Sequence, residues 1–361
     1  MPFDRTRIET LLAAIRKLEP GPVRLMEVCG THTMAIAASG IKSMLPAGVQ
    51  LLSGPGCPVC VTPPRVIDAV LELAMEKDVI ITSYGDMLRV PGSRPGDSLL
   101  RRRALGARVE TVYSPVDAVA LAAEHPDRQV VFLGVGFETT APGTAAAVLT
   151  ARERGAKNFS VWSMLKLVEP ALRALIAMDG FQIDGFLCPG HVATILGERG
   201  FQYLPAEYGL PGVIAGFEAE DILLAVYLLL RQIKEGRPRI ENAYPRAVSR
   251  EGNVLAQRML ARCFAPRTDF WRGLGTIPAS GLGLRDELEA FDAEKRFAVR
   301  YAEAEPPTAC RCGEVITGRL APTGCPLFGG GCTPEDPVGP CMVSSEGACA
   351  AAYKYSEASF D

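Results

Sequence analysis

Three groups of residues are equipped for chemistry. The first is Gly54-Pro-Gly-Cys-Pro-Val-Cys60, where thiols two residues apart can close a small-ring disulfide or share a metal. Pro55 and Pro58 stiffen this loop, and with Gly56 its backbone is pinched. It follows an apolar run at 49–53 and precedes a helical pattern starting near Arg65, and a helix N-terminus favours thiolate. That setting favours a dithiol switch at Cys57 and Cys60, with half of a zinc site as the alternative. The second group is Cys29-Gly-Thr-His32, in which a thiol and an imidazole in one loop can form a nucleophile–base pair or donate to one metal. The third lies between Cys310 and Cys349, which holds six of the chain's 11 cysteines.

Within that third group, Cys310, Cys325, Cys332 and Cys349 are separated by 14, 6 and 16 residues. This is neither the paired Cys-x-x-Cys spacing of a zinc ribbon nor the tight ferredoxin run. Four thiolates spread over a segment with little apolar sequence suit a cubane iron–sulfur cluster that the segment folds around, zinc being the alternative. Cys312 and Cys341 are the alternates to these four. Elsewhere, Glu138 in Gly-Phe-Glu-Thr-Thr140 is a candidate proton-handling carboxylate. His191, in Cys188-Pro-Gly-His191, is one of only three histidines, and two of them sit in strand-end loops. Gly134-x-Gly136 has Thr139 where a dinucleotide fingerprint needs its third glycine, which excludes NAD. Cys188 and Cys263 read as small buried apolar residues and Asp86 as a turn former.

The elements that must position these residues alternate. An N-terminal helix at 8–18 is followed by strand patterns at 23–28, 49–53, 79–83, 107–112, 129–133, 159–164, 185–187 and 212–214, with helical patterns between most of them and a final helix at 218–233. Such alternation implies α/β architecture with parallel sheets. We expect two parallel-sheet lobes, 22–125 and 126–238, facing a cleft. A smaller Cys-rich domain at 239–361 would carry the cluster and take in the N-terminal helix (1–20). Every loop named above follows a strand and precedes a helix, the edge at which open α/β sheets bind ligands. Cys29, His32, Cys57, Cys60, Glu138 and His191 should therefore converge.

The chain of 361 residues is 48% hydrophobic and 22% charged, with a net charge of −3. Its only basic run is at 101–103, which argues against a nucleic-acid partner. The longest apolar run, 222–230, is too short to span a bilayer, and no secretory leader is visible. A cytoplasmic protein is expected, and in that reducing compartment eleven cysteines point to metal or redox work.

Taken together, Cys29-Gly-Thr-His-Thr33, Gly54-Pro-Gly-Cys-Pro-Val-Cys60, the run from Ser83 to Ser93, Gly136-Phe-Glu-Thr-Thr-Ala-Pro142, Cys188-Pro-Gly-His191 and the C-terminal cysteine motifs resemble the HypD family of [NiFe]-hydrogenase maturation factors over nearly the whole chain. The resemblance implies a scaffold that, with the small chaperone HypC, holds an iron while cyanide and carbon monoxide are added. The cyanide comes from HypE, and the Fe(CN)2CO unit passes on to the hydrogenase large subunit. It implies Cys29 as the iron ligand with His32 in support, Cys57 and Cys60 as the redox pair, and a [4Fe-4S] cluster on Cys310, Cys325, Cys332 and Cys349. A second reading, a cluster-dependent thiol–disulfide oxidoreductase, uses the dithiol and the cluster but leaves the Cys29 loop idle.

Overall fold

The computed structural model describes residues 5–303 and 308–355, so the junction at 304–307 and both chain ends lie outside the described residues. Eleven strands are present among these: β1 (Val23–Glu27), β2 (Val49–Ser53), β3 (Val79–Ser83), β4 (Arg108–Thr111), β5 (Gln129–Gly136), β6 (Phe159–Leu165), β7 (Gly185–Pro189), β8 (Gly212–Ala215), β9 (Ile240–Asn242), β10 (Phe264–Trp271) and β11 (Gly275–Leu284). The first nine form two wholly parallel sheets, ordered β2-β1-β7-β8-β9 and β4-β3-β5-β6. The α/β class is as expected from the alternation. Strands such as β6, buried at every position, are apolar on both faces because helices cover both sides of a parallel sheet.

The strands are shared out differently from the expected halves. Residues 23–53 pair with 185–242 through β1 and β7, with Met26 opposite Phe186 and Glu27 opposite Leu187. The four-stranded sheet is made from 79–165 alone. A boundary at 125/126 would cut through that sheet. Alternation reports the number and type of strands but not which distant strands pair.

The N-terminal helix, Arg5–Lys17, also sits elsewhere than with the Cys-rich segment. Its buried face of Ile8, Leu12 and Ile15 joins Leu25, Leu51 and Ile222 in the core of the five-stranded lobe. The helix it packs on, Ala219–Glu235, starts with a reciprocal cap between Glu218 and Asp221 and stops at Gly236, whose φ of 62° only glycine adopts cheaply.

The Gly-rich stretch 273–283 is mostly strand. β10 and β11 form an antiparallel hairpin whose turn uses Gly273 and Gly275 at positive φ. Gly281 leaves room for the Asp269 carboxylate, which pairs with Lys166 Nζ at 2.8 Å. Phe264, Leu282 and Leu284 bury against Phe132 and Val161, so the hairpin is part of the four-stranded lobe. The Cys-rich segment packs differently, its last helix, Ala348–Tyr355, lying along the helix Gly30–Ala38. Residues 239–361 therefore do not form one unit.

Candidate functional site

A cavity of about 400 Å³ opens where the C-terminal edges of the two sheets face each other. Its walls are the strand-end loops: Val28 and Cys29 after β1, Gly56, Pro58 and Val59 after β2, Tyr84 to Met87 after β3, Gly136, Phe137, Thr139 and Thr140 around the end of β5, and His191 after β7. Ser344, Ser345 and Glu346 of the Cys-rich segment close the remaining side.

Cys29 is the N-cap residue of the helix Gly30–Ala38. Burial pushes its thiol up to about 12, against the pull of the His32 and Thr31 amides at the helix start. Such a thiol stays protonated until a metal cation takes the proton's place, after which the amides stabilise the thiolate. The backbone around it is tied down on two sides: Gly30 N–H donates to Gly56 O (3.0 Å) and Gly54 N–H to Glu27 O (2.8 Å). The Cys29 and dithiol loops therefore behave as one piece.

Cys57 and Cys60 are closed as a disulfide just behind Gly56, Pro58 and Val59. Both sulfurs are buried. Cys57 Sγ receives the Cys60 N–H at 3.1 Å and lies 3.4 Å from Ser344 Oγ.

The other expected residues divide between the cavity and its backing. His191 lines the cavity. His32 is fully buried behind it, donating from Nε2 to Gly216 O (2.9 Å), with its pKa driven down to about 4 by burial. It is therefore a neutral imidazole at physiological pH. Its Nδ1 has no partner among the described residues. The Phe217 ring lies between both histidines, tilted against His32 with centroids 4.8 Å apart and stacked on His191 at 4.0 Å, so the buried ring props the exposed one. Cys188 and Cys263 are wholly buried, as their sequence settings suggest.

Glu138 is enclosed although Phe137 and Thr139 on either side line the cavity. Its Oε1 accepts the Val168 N–H at 2.9 Å, Oε2 has no partner among the described residues, and burial raises its pKa to about 7. From the usual carboxylate range up to about pH 7, the folded chain holds a proton there that the unfolded chain has released. Stability contributed by this group therefore falls as pH rises through that window. Glu138→Gln should remove the fall, gaining roughly 3 kcal/mol over the wild type between pH 4.5 and 8. Urea titrations at the two pH values measure it, and parallel stability profiles would show that Glu138 ionises normally. His32, which acts in the opposite sense, is common to both chains and cancels.

Two acids were not singled out from the sequence. Glu27 ends β1 in the core, accepting from Thr33 Oγ1 (2.6 Å) and Cys29 N (3.2 Å), and burial lifts its pKa to about 7. A glutamate inside the apolar run 25–29 was the available signal. Glu346 lies on the cavity wall and accepts from Thr31 Oγ1 at 2.7 Å, a contact across 315 positions that no local pattern announces. Asp86 does more than form a turn, since it accepts from Ser345 N (3.3 Å) and Oγ (3.2 Å).

All six C-terminal cysteines line a second, smaller pocket with Leu327, Phe328 and Met342. Every ligating side chain in it is a thiol, the soft donor set an iron–sulfur cluster requires. A β-carbon at Gly339 would lie 2.6 Å from Cys310 Sγ, so glycine there keeps space at the sulfur. Cys312 Sγ and Cys341 Sγ are 2.9 Å apart, which makes them a second thiol pair. Among the described residues no group of three or more His, Cys, Asp or Glu is drawn together as for a bound metal ion. The donor chemistry of the pocket nevertheless fits a cluster. Also among these residues, no helix is long and apolar enough to cross a membrane.

Residues 6–356 match the family model described as HypD, hydrogenase formation hypA family. A hydrogenase maturation factor HypD from Azotobacter vinelandii is 48% identical over 338 residues, 92% of this chain and 89% of the relative. The protein of that name from Cupriavidus necator is 47% identical over 91% of this chain and 89% of its own length. The one from Escherichia coli K12 is 44% identical over 92% and 89%.

Proposed function

Since the chain belongs to the HypD family of hydrogenase maturation factors, we propose that its cleft is the place where the iron of a [NiFe]-hydrogenase is held while cyanide and carbon monoxide are attached. The observation that carries this reading is the single cavity in which Cys29 stands beside the dithiol loop, closed by Ser344 to Glu346. The cargo iron is a soft, low-valent centre, for which a thiolate is the fitting donor. Cys29 supplies one thiolate, and a HypC-type chaperone docked at the open mouth supplies the other. His191 and Glu346 stand on the same walls, where they can donate to and accept from ligands on the iron. The neutral His32 fixes the backbone at Gly216 and, through Phe217, the His191 ring.

Cys57 and Cys60 serve as the redox pair next to that iron. Cys310, Cys325, Cys332 and Cys349 would hold a [4Fe-4S] cluster, and Cys312 with Cys341 would stand as a second dithiol in the same pocket. When bound, the cluster supplies electrons one at a time at low potential. Cyanide arrives from a HypE-type donor, and the finished unit leaves for the hydrogenase large subunit from the cytoplasm, where this family's client is assembled.

Anaerobic co-production with HypC-type and HypE-type partners, followed by infrared spectroscopy of the purified complex, tests the reading. Bands in the cyanide and carbonyl stretching region are expected. Their absence from a complex whose Cys57–Cys60 disulfide still exchanges would overturn iron assembly in favour of a free-standing thiol–disulfide oxidoreductase.

A further inference from the structure

Ser344 stands on the cavity wall, three residues after Cys341 of the thiol pocket, and is only 2% exposed. Its Oγ accepts the Glu346 N–H at 3.2 Å, which leaves the hydroxyl proton for another acceptor. The atom it faces is Cys57 Sγ, 3.4 Å away. The same sulfur receives the Cys60 N–H at 3.1 Å, while no donor to Cys60 Sγ is present among the described residues. Two donors thus converge on one sulfur of the pair, and one of them comes from a segment 287 positions away.

We propose that Ser344 is a positioning residue for the dithiol, selecting Cys57 as the sulfur that carries the negative charge when the disulfide opens. This rests on the reading of Cys57 and Cys60 as a redox pair. Two electrons from a dithiol reductant break the Cys57–Cys60 bond. One proton from the reductant's thiols ends on Cys60, the other leaves to solvent, and Cys57 keeps its electron pair as thiolate. The reductant becomes a disulfide. A hydroxyl donating to thiolate stabilises the reduced state more than the oxidised one, because a charged acceptor holds a hydrogen bond more strongly than a neutral sulfur.

The neighbours of Ser344 extend the argument. Ser345 donates to Asp86 after β3, and Glu346 accepts from Thr31 beside Cys29. Three successive residues therefore touch three different loops of the cleft. A change of charge at Cys57 acts on the same short run that carries the Glu346 carboxylate on the cavity wall.

The test uses the full chain, held anaerobically in glutathione redox buffers. Differential alkylation then reads the peptide that carries Cys57 and Cys60 by mass. Ser344→Ala should shift the exchange equilibrium about tenfold toward the disulfide, a potential about 30 mV more negative. Ser344→Thr, which keeps the hydroxyl, should stay within about threefold of the wild type. An Ala variant that titrates with the wild type would remove the proposed role of Ser344 and leave the redox pair standing. A wild-type pair that does not exchange at all would remove both. Should the Ala variant fail to fold, the single-thiol chains decide. Cys57 in Cys60→Ser should be alkylated about tenfold faster than Cys60 in Cys57→Ser, and equal rates would overturn the assignment of charge to Cys57.

Discussion

Cys29→Ala is expected to abolish the cyanide and carbonyl infrared bands of the chaperone complex, a loss of at least about 100-fold, while glutathione exchange at Cys57 and Cys60 stays within about threefold of the wild type. The argument starts from how little else the side chain does. Cys29 caps the helix Gly30–Ala38 by position only, since no side-chain cap hydrogen bond is made. Its loss removes one small buried sulfur, at a cost of about 1 kcal/mol to the fold. The structural ties of the loop are backbone bonds, Gly30 N–H to Gly56 O and Thr33 N–H to Cys29 O, and alanine keeps them. What alanine cannot replace is a soft donor whose proton is displaced by metal at a helix N-terminus. Serine would keep the shape and the helix start but offers a hard oxygen, so Cys29→Ser should fail as alanine does. Bands retained in either variant would mean that the iron is held elsewhere.

The second large effect is expected at Gly56. A β-carbon there would overlap Cys29 N and Val28 C, both backbone atoms with no flexible end to yield. Gly56→Ala must therefore push the dithiol loop away from the β1 loop and break the bond that joins them. Overpacking of this kind costs about 1–3 kcal/mol, survivable for a chain of this size, and the four-stranded lobe, to which Gly56 contributes no strand, should stay folded. A displacement near 1 Å at a positioned group costs about 100-fold in chemistry, and a loss of that order is expected in the infrared bands. Gly21→Ala is the control, because a β-carbon at Gly21 meets nothing within 4 Å. Normal band intensity in Gly56→Ala would show that the two loops do not need each other.

The site was readable from the sequence wherever its parts are local. A Cys-x-x-Cys between an apolar run and a helix, or a Cys-Gly-Thr-His after a strand, has one structural setting, and the strand-end rule then carries Cys29, His191 and the dithiol loop to one cavity. Legibility ended where position depends on distant pairing. No spacing connects Glu346 with Thr31, Ser344 with Cys57 or Phe217 with two histidines. The pairing of β1 with β7 is of the same kind, and it displaced the expected boundary at 125/126. The hairpin of β10 and β11 was hidden for another reason. Its glycines at 273, 275 and 281 serve a turn and a buried carboxylate, and they imitate a loop to any reading by composition. The N-terminal helix was visible as a helix, but its partner, Ala219–Glu235, lies two hundred residues on.

That same pairing of β1 with β7 sets an order of events during synthesis. The sheet of β3 to β6 is complete once residue 165 has been made, because all four strands are consecutive. The five-stranded sheet has to wait for β7, β8 and β9, so residues 23–53 emerge first and are enclosed late. At about 5–20 residues per second, the thiols of Cys29, Cys57 and Cys60 spend roughly 10–40 s on the ribosome before residue 242 follows them. Ser344 to Glu346 arrive later still, and until they do the cleft lacks a wall. A chain cut short anywhere before them therefore presents the thiols without the enclosure, and only synthesis past residue 346 closes the workplace.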